Sequence, residues 1–244
     1  MMSTRNMSTP VFAIAVVSVL VGTTTCAEDA LLVPGKNLVD EQLTTDVWNS
    51  KWEKQGQWNY REGVLTGAGS RKDTACTWAR VPVSVTSGII EVEFRLKDGQ
   101  FDFVTDFVGD DDKVEHYLRT TVFGSAMIVR AGRKFDDDDG QMRKASRRVS
   151  VPVNSDQWHK LRVEFHKQDI VVHVDGTPQF RAAARGEVDQ DVEKNRVGFR
   201  VRGTVELSKL KVWTATPNSD WPKARRSIPW QGKMKEGVEV LSAD

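Results

Sequence analysis

Apolar and polar residues alternate along most of this 244-residue chain. The alternation is clearest at 158–165 and at 170–174. The second of these runs ends in Asp175-Gly176, a pair that suits the positive φ of a tight turn. The same period of two returns at 197–201 and at 205–212. Because successive side chains of a strand point to opposite faces, such a succession predicts antiparallel strands with one buried face.

No long amphipathic helix separates these runs. They predict an all-β chain folded as a two-sheet antiparallel jelly-roll sandwich. We expect the sandwich to occupy 48–214, after a lead-in at 28–47 and before an irregular C-terminal tail at 215–244. The residues expected to face the core are Ile90, Val92, Phe94 and Leu96 on one strand and Phe101, Phe103 and Phe107 on the next.

Residues 1–27 have the pattern of an N-terminal signal segment. Arg5 supplies the positive charge, and the apolar stretch at 11–21 is too short to span a membrane. The small residues of Thr25-Cys26-Ala27 predict cleavage after Ala27. The mature chain is then expected to be exported and to keep no integral membrane segment. A lipid-anchored envelope protein, modified on Cys26, is the less favoured alternative, because Thr occupies both positions where a lipidation motif has Leu and a small residue.

The charge balance argues against a nucleic-acid partner. The formal net charge is only +1, so the chain has no overall basic field. It contains no Gly-x-Ser-x-Gly, no phosphate-binding glycine loop and no Cys-x-x-Cys, which disfavours serine-hydrolase, nucleotide-binding and thiol-redox functions. The pattern leaves the oligomeric state open.

Several strand and turn motifs recur in a recognisable order. They are Gly56-Gln57-Trp58 with 63–67, Ser87-Gly88 before 91–95, then 157–164, 172–176, and 197–200 before 210–212. Through them, residues from about Trp48 to Trp213 resemble the concanavalin A-like (laminin G-like) jelly roll. More narrowly they are similar to the secreted bacterial 3-keto-disaccharide hydrolase-type domain, which is related to family 16 glycoside hydrolases. The resemblance implies a carbohydrate ligand and, if the domain is an enzyme, a hydrolase or lyase acting on glycosidic bonds.

Four acids are the candidate catalytic residues. Alternation turns Glu91 and Glu93 outward, and we expect Asp102 and Asp106 of the next strand to share that face. Glycoside cleavage usually needs two carboxyl groups about 5 to 9 Å apart, a spacing that residues two apart on a strand can provide. The alternative is a solvated face on which the acids pair with arginines across the strands. The Glu-x-Asp-x-Glu strand of true family 16 enzymes is absent.

Sugar hydroxyls are bound by charged side chains that share hydrogen bonds, and sugar rings stack on aromatic side chains. On this basis the predicted ligand-binding residues are His116, Tyr117, Arg119, Arg130 and Arg200.

No metal site is predicted, and the four histidines lack zinc-binding spacing. Ca²⁺ stays open as a cofactor because carboxylates cluster at 110–112, 136–139 and 189–193, and oxygen ligands suit this ion. Each of these clusters also reads as a solvated turn.

Three functions therefore remain open. The first is an exported carbohydrate-active domain that binds a glycan, with cleavage of a (3-keto-)glycoside left open. The second is a non-catalytic adhesion or envelope module. The third, a Ca²⁺-dependent protein-binding module, rests only on the acidic segments.

Overall fold

The computed structural model describes residues 30–42, 50–70, 77–108, 114–131, 145–167, 169–183, 193–228 and 230–233. The predicted signal segment lies outside these residues. Within them, no helix is long and apolar enough to cross a membrane.

The described chain is built almost entirely of strands. They are β1 (Leu32–Gln42), β2 (Glu53–Gln55), β3 (Gln57–Arg61), β4 (Val64–Gly69), β5 (Thr77–Val85), β6 (Gly88–Leu96), β7 (Gln100–Val108), β8 (Val114–Phe123), β9 (Ala126–Ala131), β10 (Ala145–Ser150), β11 (His159–His166), β12 (Asp169–Val174), β13 (Thr177–Ala183), β14 (Lys194–Pro217) and β15 (Trp230–Lys233). A single turn of helix, α1 (Trp221–Ala224), lies between the last two strands. β1 falls in the stretch predicted as lead-in, and α1 and β15 fall in the predicted tail.

The strands form two sheets that share β14. In sheet A the order is β14-β6-β11-β12-β13-β15, and β1 and the β3–β4 hairpin pair with the other edge of β14. In sheet B the order is β10-β9-β8-β7-β14-β5-β2. All pairs are antiparallel except β13 with β15. The predicted all-β, two-sheet antiparallel sandwich is confirmed.

A bend at Gly203 lets one strand serve both sheets. Residues 194–202 of β14 pair with β5 and β7 in sheet B, and residues 203–217 pair with β4, β6 and β1 in sheet A. Gly203 has φ +77°, and a Cβ there would come within 2.2 Å of the Asp98 carbonyl oxygen. Only glycine tolerates both the backbone angle and this close approach.

The core lies between the two sheets. Ile90, Val92, Phe94 and Leu96 of β6 face Phe101 and Phe103 of β7, and all six are at most 2% exposed, as the alternation predicts. The Phe94 and Phe101 rings stack with centroids 5.3 Å apart. The side chain of Phe107 lies outside the described part of the chain. The alternating sequence thus dictates the buried faces of both sheets.

A second, smaller cluster of apolar residues joins the two ends of the described chain. Leu31 and Leu32 from the N-terminal side pack with Trp221 and Ile228 from the C-terminal side. These side chains pack on Ile89 and Val171 of sheet A. The irregular segment after β14 therefore covers one end of this sheet.

Candidate functional site

The structure separates the acids that the sequence pattern places together. Glu91 and Glu93 lie on β6 in sheet A, whereas Asp102 lies on β7 in sheet B. The side chains of both strands that face inward form the common core, so the outward acids lie on opposite sides of the sandwich. The expectation of one shared face is wrong, because the turn between β6 and β7 carries the chain from one sheet to the other.

On sheet A, Glu91 takes part in a ladder of opposite charges across the strands. Arg162 Nη1 donates to its Oε1 at 3.0 Å, and Lys160 Nζ lies 3.9 Å from its other oxygen. The neighbouring Lys211 pairs with Asp40 at 3.3 Å. This is the cross-strand pairing that the sequence left as the alternative to a catalytic role.

Glu93 is held in the same way. It accepts hydrogen bonds from Ser208 Oγ at 2.8 Å and Lys209 Nζ at 3.0 Å. Burial alone would raise the pKa of Glu93, but these hydrogen bonds and the charges of Lys209 and Lys160 outweigh burial and lower it. A carboxyl group with a lowered pKa is ionised at neutral pH and has no proton to donate to a leaving group.

A shallow groove of about 470 Å³ lies over this ladder. Its charged lining residues are Asp40, Glu91, Glu93, Lys160, Arg162, Lys209 and Lys211. Trp213 forms part of the wall. Acids and bases alternate in the lining, so the groove has little net charge.

The outer face of sheet B is different, because its cross-strand rows are rich in arginine. Directly paired residues of neighbouring strands share a face, so each row can be followed across the sheet. The first row, from β10 to β2, is Arg148, Ile128, Thr121, Asp102, Arg200, Trp78 and Gln55. The second, from β9 to β2, is Arg130, Arg119, Val104, Gly198, Arg80 and Glu53.

Asp102 organises the middle of this face. Its side chain is 2% exposed, and Oδ2 accepts a hydrogen bond from Arg119 Nη2. Arg130 Nη1 donates to Thr121 Oγ1 at 3.0 Å. Asp102 therefore acts as an internal counter-ion that fixes one guanidinium while a second is oriented by a hydroxyl.

Trp78 adds an aromatic surface at the β5 end of the first row. Its Nε1 donates to Gln55 Oε1 at 2.8 Å, which fixes the ring, and the Arg80 guanidinium lies 4.7 Å from the ring centroid. The diagonal position in the second row, on β14, is Gly198, whose Cβ would come within 2.5 Å of the Ala79 carbonyl oxygen. The sheet thus carries an indole and arginines side by side, with no side chain at the glycine.

The structure brings together Asp102, Arg119, Arg130 and Arg200 of the predicted site. Asp106 lies on β7, and His116 and Tyr117 lie on β8, next to these residues along their strands. The side chains of these three lie outside the described part of the chain. The sequence pattern does not single out Trp78 and Thr121. Strand alternation in β5 and β8 would have found them only if the order of strands in sheet B were known.

His159 holds a turn rather than a ligand site. Its Nδ1 lies 2.7 Å from Asp175 Oδ2, and its Nε2 lies 3.0 Å from the Asn154 amide nitrogen. The predicted Ca²⁺ binding depends on the acidic segments at 110–112, 136–139 and 189–192. These segments lie outside the described residues, so Ca²⁺ binding stays an open prediction. Within the described ranges, no group of three or more His, Cys, Asp or Glu residues is arranged to hold a metal ion.

Comparison with known proteins agrees with this architecture. A sequence profile of the laminin G domain matches residues 127–236. No curated protein sequence matches the chain.

Solved structures resemble the chain over most of its length at low sequence identity. A Bacillus subtilis protein of unknown function with a galectin-like fold is 13% identical, with a TM-score of 0.59 over 77% of this chain and 100% of that one. The carbohydrate recognition domain of Emp46p, in a potassium-bound form, is 13% identical, with a TM-score of 0.52 over 74% and 97%. Porphyranase B from Zobellia galactanivorans is 13% identical, with a TM-score of 0.50 over 74% and 89%.

These likenesses concern the fold. The narrower resemblance to the 3-keto-disaccharide hydrolase-type domain stays a prediction. The chain has the laminin G-like, concanavalin-type jelly-roll fold that its strand and turn motifs indicate.

Proposed function

We propose that this protein is a glycan-binding module whose ligand face is the outer face of sheet B. The observation that carries the proposal is the juxtaposition of Trp78 with the Asp102–Arg119 pair and Arg130 in two adjacent cross-strand rows. A sugar presents an apolar ring face and a rim of hydroxyls. An aromatic ring beside fixed guanidinium and carboxylate groups complements both.

The side chains on this face are already held in place, which also supports it as the ligand face. Trp78 and most of the outward arginines are partly buried around a buried Asp102, and Asp102 and Gln55 fix Arg119 and Trp78 before any ligand arrives. Groups that are already ordered lose little side-chain entropy on binding. Two of the structurally similar proteins are a carbohydrate recognition domain and a porphyranase, so sugar ligands are known on this fold.

Binding is better supported than cleavage. Glu91 and Glu93, the acid pair with suitable strand spacing, lie in ion pairs on the other side of the molecule. The lowered pKa of Glu93, in which the Lys209 and Ser208 hydrogen bonds and lysine charges overcome burial, is opposite to the need of a general acid. We expect Glu93→Gln to leave glycan binding unchanged, and we expect no release of reducing sugar from either protein.

Two matched tryptophan variants test the ligand face. A glycan array and titration calorimetry on the hits would compare Trp78→Ala with Trp158→Ala, which removes an indole that is 40% exposed and stacks on Arg95 of sheet A. We expect Trp78→Ala to weaken binding about tenfold, or roughly 1.4 kcal/mol, because the ring platform is lost. Trp158→Ala should bind like the wild type.

Weaker binding by Trp158→Ala, with unchanged binding by Trp78→Ala, would place the ligand on sheet A. Absence of any glycan binding by the folded wild-type protein would overturn the proposal and favour the adhesion or envelope module. Retained binding by both variants would remove Trp78 from the ligand face.

We further propose that the module acts after export, on the basis of the signal pattern at 1–27. Cell fractionation and mass spectrometry of the mature chain test this. The expected result is a processed protein outside the cytoplasm that begins at Glu28. A chain that keeps residues 1–27 in the cytoplasm would contradict it, and a lipidated Cys26 would support the envelope-anchored alternative.

A further inference from the structure

We propose that the glycan bound on the outer face of sheet B is acidic, a saccharide that carries carboxylate or sulfate groups. This inference rests on the proposed function and adds the chemical class of the ligand. It follows from the local imbalance of charge on this face.

Positive charge is concentrated there although the whole chain has a formal net charge of only +1. The arginines at outward positions of sheet B are Arg80, Arg119, Arg130, Arg148, Arg196, Arg200 and Arg202. The acids at outward positions or at the edge of the same face are fewer: Asp102, Asp106, Glu53 and Glu193. Asp102 pairs with Arg119, Glu53 lies 3.6 Å from Arg196, and Glu193 accepts a hydrogen bond from Ser84 Oγ. Among the described residues no carboxylate forms an ion pair with Arg130 or Arg202.

The guanidinium groups in the middle of the face act on one another. Burial lowers the pKa of Arg130, the charges of Arg119 and Arg202 lower it further, and Asp102 only partly offsets them. An arginine nevertheless stays protonated in proteins, so the repulsion persists in the free protein. An anion bound among the arginines of this face would relieve this repulsion, which is a gain that a neutral sugar does not supply.

The chemistry of the groups suits an oxyanion on a sugar. Guanidinium is planar and forms two parallel hydrogen bonds with a carboxylate or sulfate. The Trp78 ring beside the arginines provides a surface for a sugar ring, which distinguishes this face from a site for a small inorganic anion. On the outer face of sheet A, by contrast, Lys209 and Lys211 are each already paired with a carboxylate.

Matched polysaccharides and matched variants test the inference. The probes are polygalacturonate with its methyl ester, and dextran sulfate with dextran, so that each charged polymer has a neutral counterpart and the two pairs distinguish carboxylate from sulfate. The variants are Arg130→Gln/Arg202→Gln on sheet B and Lys209→Gln/Lys211→Gln on sheet A, which remove the same charge from opposite faces. Arg130→Lys/Arg202→Lys keeps the charge and removes the planar guanidinium. Thermal unfolding checks that each variant is folded.

The wild type should bind at least one charged polymer and neither neutral counterpart. Arg130→Gln/Arg202→Gln should weaken this binding about tenfold or more, Arg130→Lys/Arg202→Lys by an intermediate factor, and the sheet A variant by less than about twofold. Raising the ionic strength should weaken binding by the wild type more than by the arginine-to-glutamine variant, because fewer charges remain to be screened.

Equal losses in the two glutamine variants would mean general electrostatic attraction and would overturn the inference. Binding of neutral saccharides alone, still dependent on Trp78, would also overturn it while leaving the proposed function intact. If no saccharide of either kind binds, both the inference and the proposed function fail.

Discussion

Glu164 is a carboxylate with no exposed surface, and its contacts show how this fold tolerates a buried charge. Its Oε1 accepts a hydrogen bond from Arg162 Nε at 2.8 Å and lies 3.1 Å from His173 Nε2. Its Oε2 accepts from the Leu32 amide at 2.8 Å. The carboxylate therefore ties the start of β1 to β11 and β12, and it does so with both oxygens satisfied.

We predict that Glu164→Gln destabilises the protein by about 3 kcal/mol, because Arg162 then loses one partner in a buried network. Chemical denaturation measures the free energy of unfolding. The matched control is Asp40→Asn, which breaks the exposed Lys211 pair and should cost less than about 1 kcal/mol. Equal effects of the two substitutions would contradict the role given to Glu164.

The same carboxylate should make stability depend on pH. Burial opposes ionisation of Glu164, but the His173 hydrogen bond, the charges of Arg162 and His173 and the Leu32 amide lower its pKa overall. A group with a lowered pKa stabilises the folded state above its ordinary value, about 4.3, and this stabilisation is lost as the pH falls through the folded-state value. The difference in unfolding free energy between wild type and Glu164→Gln should therefore be constant near neutral pH and shrink in acid. A difference that grows in acid would contradict a lowered pKa of Glu164 in the folded protein.

At the scale of the element, β14 decides how the two sheets are connected. Its sequence shows two alternating runs separated by Gly203, and the pattern alone predicts two strands. The structure has one strand that bends at the glycine, where the Asp98 side chain accepts a hydrogen bond from the Thr204 amide at 2.7 Å. The turn after β6 therefore packs against the bend.

We predict that Gly203→Ala destabilises the protein by about 3 kcal/mol, because the substitution adds a Cβ at positive φ and against the Asp98 carbonyl. Gly124→Ala is the control. Its φ of +52° is also positive, but a Cβ there would meet no atom within 4 Å, so only the backbone strain of about 1 kcal/mol remains. Similar losses in both variants would mean that the close packing at the bend contributes nothing.

Whole-molecule stability depends on a cluster outside the main core. Trp221 is 9% exposed and packs with Leu31, Leu32 and Ile228 against Ile89. Leu31 and Ile228 are nearly two hundred positions apart in the sequence, yet they belong to the same apolar cluster. Burial of these side chains stabilises the attachment of both terminal segments to sheet A.

We predict that Trp221→Ala lowers the free energy of unfolding by about 3 kcal/mol, because it leaves a cavity beneath α1. Glycan binding by the folded variant should not change, since sheet B lies on the other side of the core. Thermal unfolding and the array measure the two properties. Trp158→Ala, at an exposed indole, should change stability by no more than about 1 kcal/mol. Loss of binding in a stably folded Trp221→Ala protein would indicate that the two faces are coupled.

The sequence by itself determined the strands and their buried sides. Period-two alternation predicts the inward positions of β6 and β7, and Asp175-Gly176 predicts the turn after β12, because both depend on neighbours within a few residues. The same alternation predicts that the side chains of Arg119 and Arg200 face outward.

Only the tertiary structure decided which outward residues meet. Glu91 and Asp102 are eleven positions apart and both point outward, yet they lie on opposite sides of the sandwich because β6 and β7 belong to different sheets. Trp78 and Arg130 share a face because β14, β7 and β8 lie between their strands in one sheet. Alternation specifies which side chains of a strand face inward and which face outward. The order of the strands depends on long-range pairing, which local sequence periodicity does not encode.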